Sequence, residues 1–433
     1  MTRPSVNFVR AETDLFNEPG YDLTLQNSLR VEYHPITNIT DKSAPVTFFI
    51  QGNDSQYIDF SESQLYVRLK ITDSKGADLA AGIDPIAPIN NFLHSMFQQV
   101  SVHLNETQIT PPTSHYPFKS FIETLLSYGK EYRKTQAMAA LYTKEKKPDT
   151  TDAGYLVRAG LVEQSAVFEV YGRLNVDFFN QTRYLVPGID VKITLDRATD
   201  QFCLYTVAVA AGTPVINAQV HIVEAKLIVQ KHALLPSIAL AHIKLLEQGH
   251  PVCYPMRKGE IKTFSLPRGT YQYTNETLIN GLLPDRLILA FVRSSAVHGS
   301  YGENPFNFIN ADLSNLSVTV NGEQITSLKY EVDFANKKRM EAYFSIFQGL
   351  GIANCDSGID LTFEEYCDGK TFFVFDLRHQ HDGTAVPRHG NLKIDLRLAN
   401  ANTTPITGIV HADYQSTLYV DKNRHIYFKD FTN

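Results

Sequence analysis

The 433-residue chain contains no tryptophan, only 4 cysteines and no excess of positive charge. The cysteines, at positions 203, 253, 355 and 367, form no C-x-x-C pair, so reduced structural thiols are expected. With 40 Lys and Arg against 46 Asp and Glu, the formal charge is −6 and the sequence pI about 6.2. A dedicated nucleic-acid-binding domain has a pI above ~9, so any contact with DNA is expected to be local or weak. No apolar run approaches the ~18 residues of a membrane span; the longest, around positions 203–211, is broken by Thr206. The first fifteen residues reach Glu12 and Asp14 without an apolar stretch, so no signal-peptide core is expected and the chain reads as non-secreted. Without a secretory route, the seven N-x-S/T sequons read as Asn- and Thr-rich turns.

What the chain does contain is Phe and Tyr, 26 and 22 of them, residue types that favour strands and large half-buried surfaces. Hydrophobic residues make up 43% and charged residues 20%, which suits a soluble globular protein. Single cores stop growing near roughly 250–300 residues, so this length implies two domains.

An internal repeat makes the division specific. Ser101-Val102-His103-Leu104-Asn105-Glu106-Thr107-Gln108-Ile109-Thr110 matches Ser317-Val318-Thr319-Val320-Asn321-Gly322-Glu323-Gln324-Ile325-Thr326 at six of ten positions, 216 residues apart. Both segments read as hairpins, and Asn321-Gly322 supplies the positive φ angles that a two-residue turn demands. Thr47-Phe48 matches Thr263-Phe264 at the same offset, each expected to open a strand ahead of its hairpin. A helix is predicted after each hairpin. Phe118, Phe121, Ile122 and Leu125 carry the i, i+3, i+4, i+7 pattern in the first, and Met340, Tyr343, Phe344 and Phe347 repeat it in the second. Val186-Pro187 and Lys192-Ile193-Thr194-Leu195 then match Val386-Pro387 and Lys393-Ile394-Asp395-Leu396, and the segment 227–231 matches 418–422. The order is kept while the offset falls from 216 to 191, as expected of a tandem duplication whose loops differ in length.

Each copy holds about eight short runs with period-2 alternation, separated by Gly, Pro and Asn turns. Strands with one wet and one dry face suit a sandwich. The expected fold is therefore all-β, two tandem jelly-roll β-sandwiches (a double jelly roll) with short helices after the hairpins and in the linker. The expected divisions are an extended N-terminal arm over 1–44, a first jelly roll over 45–233, a linker with a short helix over 234–260, and a second jelly roll over 261–433. Long connections at 74–91, 143–160 and 297–311 are expected to carry function, as loops of that length usually do.

Chemistry is sparse. His379-Gln380-His381, with His389 eight residues on, is the best metal candidate, because H-x-H on a strand puts both imidazoles on one face. It would suit a metal-dependent tandem jelly-roll enzyme of cupin or monooxygenase type, but Asp382-Gly383 is a turn signal and no matching carboxylate spacing supports it. Glu364-Glu365 with Asp356 reads as a solvated patch, and Lys337-Lys338-Arg339 as a helix start. Neither G-x-S-x-G nor G-x-x-x-x-G-K-[ST] occurs. The expectation is a structural protein without catalytic residues or cofactor; a binding module retained by a host is a further alternative.

Several blocks resemble one known family. Asp14-Leu15-Phe16, Val31-Glu32-Tyr33-His34-Pro35, Tyr57-Ile58-Asp59-Phe60 and Leu65-Tyr66-Val67-Arg68 are similar to the N-terminal pattern of the major capsid proteins of Polinton (Maverick) elements and adintoviruses. Leu240-Ala241-His242, Pro267-Arg268-Gly269, Leu283-Pro284-Asp285-Arg286 and the run from Gly299 to Phe308 resemble the family's second half, the last being the most specific. Where the family often has Pro-Pro, this chain has Pro19-Gly20.

The resemblance implies a double jelly-roll subunit of the adenovirus-hexon-like lineage, forming homotrimers that tile an icosahedral shell around double-stranded DNA. Partners would be neighbouring capsomers and a minor (penton) capsid protein, and the location a virion assembled from subunits made inside the host cell. Phe16, Tyr33, Pro305, Phe306 and Phe308 are the expected interface residues, with the arm tying neighbours together.

Overall fold

The computed structural model describes residues 24–52, 55–80, 86–207, 217–356, 358–378 and 388–428. The first half contains β1 (Leu25–Tyr33), β2 (Val46–Ile50), β3 (Tyr57–Asp73), β4 (Phe97–Leu104), β5 (Thr107–Gln108), β6 (Phe168–Gly172), β7 (Val191–Arg197) and β8 (Ala218–Leu234). The second half contains β9 (Val252–Leu266), β10 (Gln272–Leu282), β11 (Arg286–Arg293), β12 (Leu313–Val320), β13 (Glu323–Glu331), β14 (Phe372–Asp376), β15 (His389–Leu398) and β16 (Ile406–Val420). Antiparallel pairing gives sheets β1-β8-β3-β6 and β2-β7-β4-β5, then β9-β16-β11-β14 and β10-β15-β12-β13. Numbered from one to eight within each half, the strands follow the orders 1-8-3-6 and 2-7-4-5 in both. The chain is a double jelly roll, with one connectivity used twice.

Alternation decides which faces are dry. On β3, Leu65, Val67, Leu69 and Ile71 are buried while Tyr66, Arg68 and Lys70 turn outward. On β15, Leu392, Ile394, Leu396 and Leu398 fill the second core in the same way. The two hairpins use one device. Asn105 and Asn321 both adopt left-handed backbone, with φ of 51° and 52°. Each side-chain oxygen also accepts a backbone N–H from the neighbouring strand's approach, Asp190 at 2.9 Å for Asn105 and Asn391 at 2.8 Å for Asn321. That second bond explains how the first hairpin keeps its Asn without the glycine that follows in the second.

Register tests the repeat directly. Thr194 on β7 and Asp395 on β15 are equivalent, and they pair with Thr47 and Thr274. Thr274, not Thr263, is therefore the counterpart of Thr47. Thr263 lies on β9, the first strand of its sandwich, whereas Thr47 lies on the second strand. A two-residue match could not distinguish two strands of similar composition. Conversely, Val31↔Val229 and Tyr33↔Leu227 correspond to Val252↔Val420 and Tyr254↔Leu418, a Val-x-Tyr repeat at the start of each half.

Two expected divisions shift as a result. Residues 25–33, read as part of the arm, form β1, an edge strand paired along β8 from Leu25↔Leu234 to Tyr33↔Leu227. Its first six residues are exposed on both faces and show no clear alternation; the strand is held by its backbone ladder with β8 and by polar pairs such as Ser28–His232 at 2.8 Å and Glu32–Lys226 at 3.3 Å. The helix of the linker forms over Pro236–Glu247, but β9 begins at Val252, ahead of position 261.

Deleting residues 1–38 therefore removes a sheet strand. The truncated protein should lose about 5 °C or more of thermal midpoint, measured by circular dichroism. An unchanged midpoint would mean that β1 contributes nothing to the first sandwich.

Candidate functional site

Buried aromatic and ionic contacts join the two sandwiches. Helix α1 (Tyr116–Ser127) carries Pro117 in its first turn, where the fixed φ of proline is suited. Its Phe118, Phe121, Ile122 and Leu125 are buried in the same apolar cluster as the second sandwich. There they meet the loop after β11. Phe306 stacks on Phe121 with ring centres 4.2 Å apart and planes 5° from parallel, and meets Phe118 edge-on at 5.8 Å. Phe308 lies 5.9 Å from Phe121 and 4.7 Å from Phe372. Burying side chains of this size is worth about 1.5–3 kcal/mol each, before the further gain of aromatic pairing.

A polar strap surrounds this stack. The loop at 143–152, followed by α2 (Ala153–Leu161), reaches into the second half. Glu145 is paired with Arg158, which is fully buried and also donates to the Pro88 carbonyl at 2.8 Å. The other Glu145 carboxylate oxygen accepts from Asn304 Nδ2 at 3.3 Å, and the Glu145 carbonyl accepts from Lys370 Nζ at 2.6 Å. Asp149 accepts the backbone N–H of Asn304 at 3.0 Å and the Tyr205 hydroxyl at 3.1 Å. Lys144 pairs with Asp360 at 2.7 Å and Glu365 at 3.3 Å. The approach is close enough to require glycine at 369, where φ is +123° and a Cβ would lie 2.8 Å from Pro148.

A second ionic group seals the other side of α1. Lys119 lies 2.6 Å from Asp177 and 3.1 Å from Glu123, and Glu123 faces His411 Nε2 at 3.2 Å. His411 Nδ1 is 3.3 Å from Asp413, which Arg286 also engages. Asp177 accepts the Gly259 N–H of β9 at 3.1 Å, and a Cβ on Gly259 would approach Glu123 and Lys119 to 2.9 Å. Burial alone would raise the Glu123 carboxyl, but the charges and hydrogen bonds of Lys119 and His411 outweigh it and hold the group at about 2. Burial alone would lower His411; Asp413 and Glu123 reverse that and raise it above its ordinary value.

The expected site residues fall in different places. Phe16, His379 and His381 lie outside the described residues. Tyr33 sits half-buried on β1, its ring 5.4 Å from Lys231 Nζ. Pro305, Phe306 and Phe308 do not face outward as subunit contacts would: they are buried within the chain, Phe306 and Phe308 at 1% and 0% exposure. Their contacts join one half to the other. His389 opens β15 and is exposed, opposite Leu282. Among the described residues, no three His, Cys, Asp or Glu side chains converge as a metal site would require. Glu365, grouped with Glu364 and Asp356 as a solvated patch, is instead buried at the strap and completes a capping box with Thr362. Arg158 and His411 carried no signal in the sequence; the Lys144–Pro148 run in a long loop was the nearest pointer to the strap.

One open cleft of about 560 Å³ lies on the second sandwich, lined by Arg257, Arg286, Arg378, Asp285 and Asp413 among others. Arg286 and Arg378 are committed to Asp413 and Asp376, so the cleft is an internally paired polar surface.

These features define a class: a double jelly-roll protein whose two sandwiches are locked by buried contacts. No family model matches the chain. It is 26% identical over 423 residues to the uncharacterized protein F54H12.2 of Caenorhabditis elegans, covering 94% of this chain and 98% of that protein. Among solved structures, a chain of the Sputnik virophage aligns with a TM-score of 0.67 at 13% identity, covering 99% of this chain and 93% of its own. The PBCV-1 virus capsid gives 0.56 at 12%, over 96% and 100%. The mavirus major capsid protein gives 0.53 at 10%, over 99% and 95%. These likenesses establish a shared fold along nearly the whole chain.

Two measurements check the junction. Phe306→Ala should destabilise the chain by about 3–5 kcal/mol in chemical unfolding, the cost of an aromatic cavity in a core. A loss below about 1 kcal/mol would place the ring outside the packed seam. For Glu123, the folded-state value lies below the ordinary 4.5, so its contribution, up to about 3 kcal/mol, is present above pH 4.5 and lost as pH falls toward 2. His411 has the opposite sign: its contribution is full below pH 6.5 and fades as pH rises through its elevated value. Glu123→Gln should therefore flatten the stability profile between pH 4.5 and 2; a slope equal to wild type contradicts the pairing.

Proposed function

We propose that this chain is the major capsid protein of an icosahedral double-stranded DNA virus or virus-like transposon, trimerising into pseudo-hexameric capsomers. The observation that carries this reading is the repetition of one eight-strand connectivity in both halves. Three such chains present six similar sandwiches, a near-hexagonal block that can tile a lattice, whereas a single enzyme site gains nothing from that geometry. The shared fold with viral capsid structures, over almost the full length of each chain, supports it. Assignment to the Polinton and adintovirus lineage rests on the sequence blocks, above all the run from Gly299 to Phe308. A full-length relative in a nematode suits an element carried in animal genomes.

On this reading the mechanism is mechanical. Buried aromatic and ionic contacts make each subunit rigid, and exposed apolar and polar surfaces set its contacts with neighbouring capsomers and a minor penton protein. Tyr33 and Phe16 remain proposed contact residues, near the edge strand and in the arm. A net charge of −6 suits a wall that encloses DNA without gripping it, since affinity for the phosphate backbone comes from clustered Lys and Arg. The protein would work in the virion after synthesis inside the host cell, with no catalytic residue and no cofactor.

Light scattering of the purified full chain should give three times the 48.7 kDa monomer mass. A strictly monomeric species at high concentration and ordinary salt contradicts the proposal.

A further inference from the structure

A buried histidine completes the ionic group between the two sandwiches. His411 lies on β16 at 1% exposure, opposite Ile261 of β9 and Ile288 of β11. Its ring stands between two carboxylates that come from different halves. Nε2 is 3.2 Å from Glu123 on α1, across the seam, and Nδ1 is 3.3 Å from Asp413, two residues along its own strand. Among the described residues Nδ1 has no hydrogen-bond partner, so charge alone joins it to Asp413.

The protonation state of the ring decides whether this arrangement attracts or repels. Imidazolium offers a proton on each nitrogen and a positive charge to both carboxylates. Neutral imidazole has one proton, so one nitrogen turns a lone pair toward a carboxylate oxygen. The neighbouring charges act in the same sense. Lys119 and Glu123 face the ring from α1 and Asp413 from β16; Asp177 holds Lys119, and Arg286 of β11 holds Asp413. β9 approaches the ring at Gly259, which brings no charge: a Cβ there would lie 3.0 Å from Nε2. Burial pushes the Asp177 carboxyl up, yet its two oxygens accept from Lys119 and from the Gly259 N–H, as an ionised carboxylate does. Three acids, Glu123, Asp177 and Asp413, thus stand against two permanent cations, Lys119 and Arg286. The group is neutral only when His411 is protonated, and an uncompensated charge in a buried seam is costly.

The ring is sealed, but one end of the group is not, because Asp413 and Arg286 line the open cleft of the second sandwich. Solvent protons therefore reach the carboxylate that faces Nδ1. The histidines at the start of α1 behave differently: burial pushes His94 down to about 4 and lowers His115, so both are already neutral above pH 6.5.

We propose that His411 is a pH-operated latch between the sandwiches: protonated, it ties α1 of the first half to β16 of the second, and deprotonation loosens that helix locally while both sandwiches stay folded. The latch is a property of the single chain and does not depend on the capsid reading. Burial alone would lower the folded value of His411, but Asp413 and Glu123 outweigh it and raise it above 6.5. The tie is therefore complete below pH 6.5 and is lost as pH rises through the raised value.

Amide hydrogen exchange on the full chain, followed from about pH 6 to 9 and expressed as protection factors that remove the intrinsic pH dependence, tests it. Protection across α1 should fall with rising pH by up to about tenfold per pH unit, the limit for one proton, while β3 and β15 keep theirs. In His411→Gln the pH dependence should vanish. In Asp413→Asn its midpoint should move to lower pH, because one of the two carboxylates that hold the proton is gone. Constant α1 protection in wild type, a pH dependence that survives in His411→Gln, or a parallel loss in β3 and β15 would each overturn the inference. Should His411→Gln fail to fold, an unmoved midpoint in Asp413→Asn overturns it equally.

Discussion

The structure depends on the burial of one helix of the first sandwich in the core of the second. Phe121 stacked on Phe306, with Glu145–Arg158 on one side and Lys119–Glu123–His411 on the other, joins the two jelly rolls through one buried seam. Breaking a buried charge pair costs about 3–5 kcal/mol, because the remaining charge is left without solvent or partner. The ionic groups therefore fix orientation, while the aromatic rings supply the attraction. The 143–152 loop spans the seam and takes Asp149 and Glu145 to backbone and side-chain donors on the other half.

Much of the fold was legible in the sequence. The hairpins at Asn105 and Asn321 announced themselves through turn chemistry, and β7 and β15 through clean alternation of dry and wet residues. What escaped was a strand whose side chains are mostly exposed. β1 carries mostly exposed side chains, so no pattern of apolar residues marks it, and it was read as part of an arm. The Thr47–Thr263 match failed because two residues cannot specify which strand of a sandwich they occupy.

The site was less legible, for a different reason. An aromatic run in a glycine- and proline-rich loop looks the same whether its own chain or another covers it. Pro305, Phe306 and Phe308 thus read as subunit contacts, although they close the subunit internally. Arg158, Glu145, Glu123 and His411 are isolated charges in the sequence, and only the fold brings them together across separations such as the 288 residues between Glu123 and His411.

The structure is built by repetition: one connectivity, and one helix after one hairpin, in each half. On the capsid reading, three chains therefore present six sandwiches of one kind. Electron cryomicroscopy of the purified protein tests this most directly. The predicted result is a three-fold particle of six jelly rolls, first and second halves alternating around it. A monomer or a two-fold dimer would contradict it.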